Sequence, residues 1–144
     1  MERYRKSSHA TYQCKSHFVW VPKYRFKALS GGVKEELKKI IFQICESMDV
    51  EIIRGNIQQD HVHLYLSVPP KYSPAEVMKK IKRKSAEMLW KRSPELRKKY
   101  WGQHIWARGY FVTTGGVEDE VIKKYIENQE DEERRLEQLR MWDE

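Results

Sequence analysis

His61 and His63 sit on either side of Val62 within an otherwise apolar run, DHVHLYLSV. Side chains alternate along a strand, so both imidazoles point to one face. Asp60, Val62, Leu64 and Leu66 point to the other. Two such rings stand ~6.5–7 Å apart along the strand and can converge on one divalent ion. Neutral imidazole suits Zn, Cu, Fe or Ni, whereas carboxylate, carbonyl and water suit Mg or Mn. The same pair would also serve as polar residues on an open sheet face. A third ligand would favour the metal reading, and KKYIENQ offers one. Tyr125 and Gln129 are four apart, so they share one helix face. The Gln129 amide supplies a neutral carbonyl oxygen. The Tyr125 phenol is a nucleophile for an electrophile held beside it. Tyr125 also fits a packing stripe with Val121, Ile122 and Ile126. These residues by themselves leave both readings open.

Hydrophobic spacing supplies the elements that must position them. Residues 11–21 read as a strand ended by Pro22. KYRFKALSGG reads as a basic, aromatic loop. Val33, Leu37, Ile40, Ile41, Ile44 and Met48 recur at helical spacing. VEIIRGNIQ and Asp60–Val68 read as a hairpin of two strands. Ser73 is placed to cap a helix with Pro74 at its first position, running to about Lys91. RSPELRKKYWG reads as a basic turn or short helix, and HIWARGYFVTT as a fourth strand. Gly115-Gly116 breaks that strand, as a turn or a hinge, before a long C-terminal helix over about 117–142. Glu118, Asp119 and Glu120 suit that helix's positive N-terminal end. The order β-α-β-β-α-β-α predicts an α+β, ferredoxin-like split βαβ fold. Two helices would cover one face of an antiparallel sheet and leave the other open. One domain of 144 residues is expected, with a core over about 9–114.

Charge narrows the partner. Net charge is +7, and the segment 127–144 holds eight acids and three bases, so residues 1–126 carry 25 bases against 13 acids. A basic body of this kind suits a polyanion, most simply nucleic acid. Lys79, Lys80, Lys82, Arg83 and Lys84 form a dense run on the second helix. Lys23 and Arg25 alternate with Tyr24 and Phe26, residues that can track and stack on a single strand. Either cluster could instead be a solvated charged surface. No apolar run is long enough to cross a membrane. Cys14 and Cys45 form no CxxC and read as buried or reduced thiols of a cytoplasmic protein. No Walker motif is present.

Four ordered stretches resemble the single-tyrosine HUH transposases of the insertion-sequence 200/605 family. They are HFVWVPKYRFKAL, DHVHLYLSVP, KKIKRKSAEMLW and GYFVTTGGVEDEVIKKYIENQ, spanning about residues 17–129. The resemblance implies roles that spacing leaves undecided. His61, His63 and Gln129 would bind Mg²⁺ or Mn²⁺, and Tyr125 would be the nucleophile. The implied reaction cleaves and rejoins single-stranded DNA near hairpins through a 5′-phosphotyrosine. The implied assembly is a homodimer in which one subunit's tyrosine helix can complete the other's site. The implied location is the prokaryotic cytoplasm, on the nucleoid. A domesticated, palindrome-associated transposase would share this chemistry. A non-catalytic single-strand-binding module is the alternative of another class, but the aromatic pattern expected of such sheets is missing. A cyclic phosphodiesterase would need two His-x-Ser/Thr motifs, and the chain has no such pair.

Overall fold

Alternation in KSHFVW and HVHLYLS produces the two central strands of the protein. A computed structural model describes residues 4–100, 104–115 and 120–129, without the side chain of Arg25. Its strands are β1 (Arg5–Lys6), β2 (Thr11–Tyr12), β3 (Lys15–Trp20), β4 (Glu51–Gln58), β5 (His61–Ser67) and β6 (Phe111–Thr113). Its helices are α1 (Gly31–Ser47), α2 (Pro74–Arg92), α3 (Pro94–Lys99) and α4 over residues 120–129. The main sheet has the order β4-β5-β3-β6, antiparallel throughout. With α1 and α2 as the two crossovers, this is the expected split βαβ arrangement.

One sheet face carries Phe18, Trp20, Val62, Leu64 and Leu66. These pack with the apolar sides of α1 and α2, including Leu37, Ile40, Ile41, Met78, Ile81 and Leu89. The second helix begins where its sequence predicts. Glu76 N–H donates to Ser73 Oγ, and Ser73 N–H donates back to Glu76 Oε1, a reciprocal capping box. The segment before β6 is stapled between β3 and α2. Ala107 N–H donates to Val21 O, and the Trp106 indole N–H donates to Ser85 Oγ.

Several expectations need correction. Residues 11–21 are not one strand: Thr11–Tyr12 pairs with β1 in a separate ribbon, and only Lys15–Trp20 joins the sheet. The fourth strand shortens to Phe111–Thr113, because Ile105–Ala107 form a buried crossing held by single contacts. Cys45 is buried, and burial pushes its thiol up to about 12, but Cys14 is exposed. The second sheet face is open only in part, at exposed residues such as Arg54, Asn56 and Gln58. Val19, Val21 and Ala107 form an apolar strip that α4 covers with Ile122 and Ile126. Val121, expected in that packing stripe, is exposed. Gly116, read from sequence as part of a turn or hinge, the acids Glu118 and Asp119, and the tail beyond 129 lie outside the described residues.

The two cores are separable, which makes the seating of α4 testable. Replacing Ile122 and Ile126 together by Asp puts two carboxylates against apolar strands, at several kcal/mol each unless the helix leaves. Amide hydrogen exchange should then accelerate over residues 120–129, while the main unfolding transition moves little. Unchanged exchange there would show that these side chains do not hold the helix.

Candidate active site

Register across the sheet fixes the site. Side chains directly opposite one another in paired strands share a face. On the face beneath α4, three rows follow from the pairing. Arg54, Tyr65, His17 and Thr113 form one row. Asn56, His63, Val19 and Phe111 form the next, and Gln58 pairs with His61 in the third. A bulge at Ile53 sets this arrangement: the register shifts between Ile52 and Arg54. Without it, Arg54 would face Leu64 on the core side. Gly55 takes that position instead, where an added Cβ would lie 3.3 Å from Leu64 Cδ2.

His61 and His63 are both half-buried on this face, as alternation predicts. His61 Nδ1–H donates to Asp60 Oδ1 at 3.0 Å. The carboxylate fixes the tautomer and leaves the lone pair on His61 Nε2. Asp60 therefore orients a candidate ligand. The α4 helix lies over the same face. Tyr125 is half-buried with its hydroxyl oxygen buried, and its ring centroid is 6.0 Å from that of Phe111. Phe111 belongs to the His63 row, so the tyrosine sits above a row that includes a candidate ligand. Gln129, one turn further on, is also half-buried. Two imidazoles on one sheet face and an amide on the helix packed over that face are neutral donors of a kind a divalent ion accepts. Among the described residues, no three His, Cys, Asp or Glu gather to hold one.

His17 escaped the sequence reading. Its Nδ1 lies 3.0 Å from His63 Nε2, and its ring stacks on Tyr65 with centroids 4.1 Å apart and planes 11° apart. Burial first, and the Arg54 guanidinium second, hold its pKa below the ordinary 6.5. The only signal available was its place in the alternation of KSHFVW, on the face opposite Phe18 and Trp20.

The basic residues divide. Lys79 and Arg83 are exposed, and Lys80 and Lys84 are half-buried. Lys82 turns inward: Nζ donates to Ala107 O at 2.7 Å and to Gly109 O at 2.8 Å. Burial drives its pKa down to about 8. Lys23 Nζ lies 5.4 Å from the Tyr24 ring centroid, a cation–π contact. A cleft of about 460 Å³ adjoins His61 and is lined by Lys27, Lys34, Gln58 and Asp60 among others. Gly115 N–H donates to Thr113 Oγ1 at 3.2 Å just ahead of α4.

Residues 10–129 match the family model described as "Transposase IS200 like". The chain is 36% identical over 132 residues to the transposase of insertion sequence element IS200 from Salmonella typhimurium, covering 92% of this chain and 87% of that one. It is also 36% identical over 123 residues to the ISDra2 transposase TnpA of Deinococcus radiodurans, covering 85% and 88%. A crystal structure of a candidate transposase from D. radiodurans superposes with a TM-score of 0.79 at 30% identity, covering 87% and 97%. A REP-associated tyrosine transposase bound to a REP hairpin superposes with a TM-score of 0.56 at 13% identity, covering 88% and 68%, a likeness of fold.

The inward Lys82 generates a pH prediction. Its pKa falls from 10.5 in an open chain to about 8 in the fold. Between those values the unfolded chain holds a proton that the folded chain lacks, so raising the pH favours folding. Neutral lysine keeps two N–H donors, enough for both carbonyls. Wild-type stability should therefore rise relative to Lys82→Met from about pH 8 toward 10.5, read from urea midpoints. Parallel pH profiles for the two proteins would refute this.

Proposed function

The chain belongs to the IS200-like transposase family, and on that premise we propose that it cuts and rejoins single-stranded DNA through a 5′-phosphotyrosine at Tyr125. One observation carries the reading: the helix bearing Tyr125 and Gln129 packs on the sheet face that bears His61 and His63. His61, His63 and Gln129 would hold Mg²⁺ or Mn²⁺. When bound, such an ion neutralises charge on the scissile phosphate and aligns its phosphorus.

The chain's own residues supply the rest. Asp60 keeps the His61 lone pair on Nε2. Packing of Ile122 and Ile126 fixes the rotation of α4, and with it the direction of the phenol. Tyr125 Oη attacks phosphorus as the bond to the 3′ oxygen breaks. The phenol loses its proton, and the departing 3′ oxygen gains one. Phenol has a pKa near 10, so its environment must assist that loss. The product ester is close in energy to the bond broken. A different 3′-hydroxyl can then reverse the step without ATP, which a hydrolytic nuclease could not do.

The cleft beside His61 is large enough for a sugar-phosphate segment, and Lys27 and Lys34 on its walls suit phosphate. Lys79, Lys80, Arg83 and Lys84 would grip backbone on α2, with Lys23 and Arg25 on the aromatic loop. Lys82 is left out of this grip because its ammonium is committed to two carbonyls. Hairpins at element ends are the proposed substrate, supported by the shared fold with the hairpin-bound relative. The proposal extends to a homodimer working on DNA in the cytoplasm. Gly115 and Gly116 would be the hinge on which α4 reaches its own site or its partner's.

The test is covalent capture. Labelled single-stranded DNA from the gene's flanks is incubated with protein and Mg²⁺ or Mn²⁺, then run on a denaturing protein gel. Label should migrate with intact wild-type protein and only when metal is present. Tyr125→Phe should form no adduct, and His61→Ala should lose about 100-fold or more. Binding without any variant-sensitive adduct would reduce the protein to a single-strand-binding module.

A further inference from the structure

We infer that the cavity walled by Tyr65 and Tyr72, toward the opposite end of β5 from the His61 cleft, takes one unstacked base of the single strand and so helps choose where that strand is cut. The inference rests on the proposed DNA chemistry and adds a specificity subsite to it.

Two clefts open along β5. The first adjoins His61, at the start of the strand. The second has a volume of about 560 Å³ and lies toward the strand's end, where Tyr65 and Val68 form part of its wall. His61, His63 and Tyr65 alternate on one face of β5, so the candidate ligands lie between the two clefts. Tyr65 follows His63 by two residues, ~6.5–7 Å along the strand. That is close to the length of one extended nucleotide. A single strand whose scissile phosphate lies over the histidines therefore brings a flanking nucleotide to Tyr65.

The lining suits a base. Tyr65 and Tyr72 are both half-buried and give the cavity aromatic walls, with Pro70 beside them. Aromatic rings of this kind stack any base, because every base has a π-face. The Tyr65 ring is already braced, stacked on His17 with planes 11° apart, so it offers a rigid platform. Lys15 supplies a cation for the adjoining phosphate, and Thr114 a hydroxyl for a base edge. Lys71 Nζ lies 5.3 Å from the Tyr72 ring centroid and adds positive charge at this end of the sheet. The two clefts thus differ in chemistry. Lysines and polar side chains wall the one beside His61, which suits sugar and phosphate. Tyrosines and proline wall the other.

The chain carries its own probe for the experiment. Cys14 is exposed and lines the cavity, whereas Cys45 is buried, with its thiol pushed up to about 12. A maleimide therefore reports on the cavity through Cys14 in the wild-type protein. The alkylation rate is measured without added metal, so that DNA stays uncut, with and without single-stranded DNA from the gene's flanks. Saturation is established by fluorescence anisotropy of the labelled strand. Bound DNA should slow alkylation about tenfold or more. Replacing one nucleotide at a time by an abasic sugar should restore the free rate at one position and leave protection intact at the others. Tyr72→Ala should weaken strand binding about tenfold, and Tyr72→Phe, which keeps the ring, should bind like the wild type. Unchanged alkylation in the complex, protection that no abasic position removes, or equal binding by the two Tyr72 variants would overturn the inference. Covalent capture keeps the two levels apart. A phosphotyrosine adduct with Cys14 unprotected removes the subsite and leaves the proposed chemistry standing. Base-dependent protection with no adduct does the reverse.

Discussion

Strand β5 is buried on one side and half-buried on the other, and its period of two cannot slip. Val62, Leu64 and Leu66 fill the core against the helices, while His61, His63 and Tyr65 face α4. A shift by one residue would bury two imidazoles in the core and expose three aliphatic side chains. Burying those aliphatic side chains is worth roughly 1.5–3 kcal/mol each. The candidate site therefore draws its register from the core, and not from contacts within the site. The neighbouring strands follow. The bulge at Ile53 brings Arg54 to the site face, and Gly55 leaves room for Leu64. Val19 meets His63 because Phe18 and Trp20 must face inward.

A second constraint concerns the other face. A ferredoxin-like sheet covered on one side usually leaves a surface exposed, but here that surface carries Val19, Val21 and Phe111. The apolar strip requires a cover, and α4 supplies Ile122 and Ile126. This packing does two jobs. It removes the strip from water, and it sets the helix face on which Tyr125 and Gln129 stand. Its apolar cluster is small beside the main core and separate from it, so the helix can detach without loss of the sheet.

Much of this was legible in the sequence. The His61–His63 alternation, the Ser73 cap and the Tyr125–Gln129 spacing are local patterns with periods of two or about four. Local patterns survive into the structure because backbone geometry enforces them. What was not legible depends on pairing between distant segments. His17 reads as an ordinary polar residue of its strand until β3 is placed beside β5. The bulge in EIIRGNIQ has no local mark except its glycine. Lys82 reads like its basic neighbours until residues 107–109 cross over it and take its ammonium. The face carrying Val19 and Val21 was expected to stay open because sequence alternation does not count the faces that are covered.

The donor set also bears on how an ion and DNA would meet. On the proposed reading the protein offers two imidazoles and an amide, all neutral. The Asp60 carboxylate stands one hydrogen bond away, on His61. Neutral nitrogen donors hold hard cations such as Mg²⁺ poorly compared with anionic oxygen. An anionic oxygen is therefore wanting at the centre of the site, and the scissile phosphate is what could supply it. Binding of the ion and binding of the strand would then be linked, each raising the affinity for the other by the same factor. A site of this kind is weak before its substrate arrives and strong afterwards, which suits an enzyme whose single-stranded target is only intermittently available. A partner that orients a ligand ring before the strand arrives, as Asp60 does for His61, matters more in such a site.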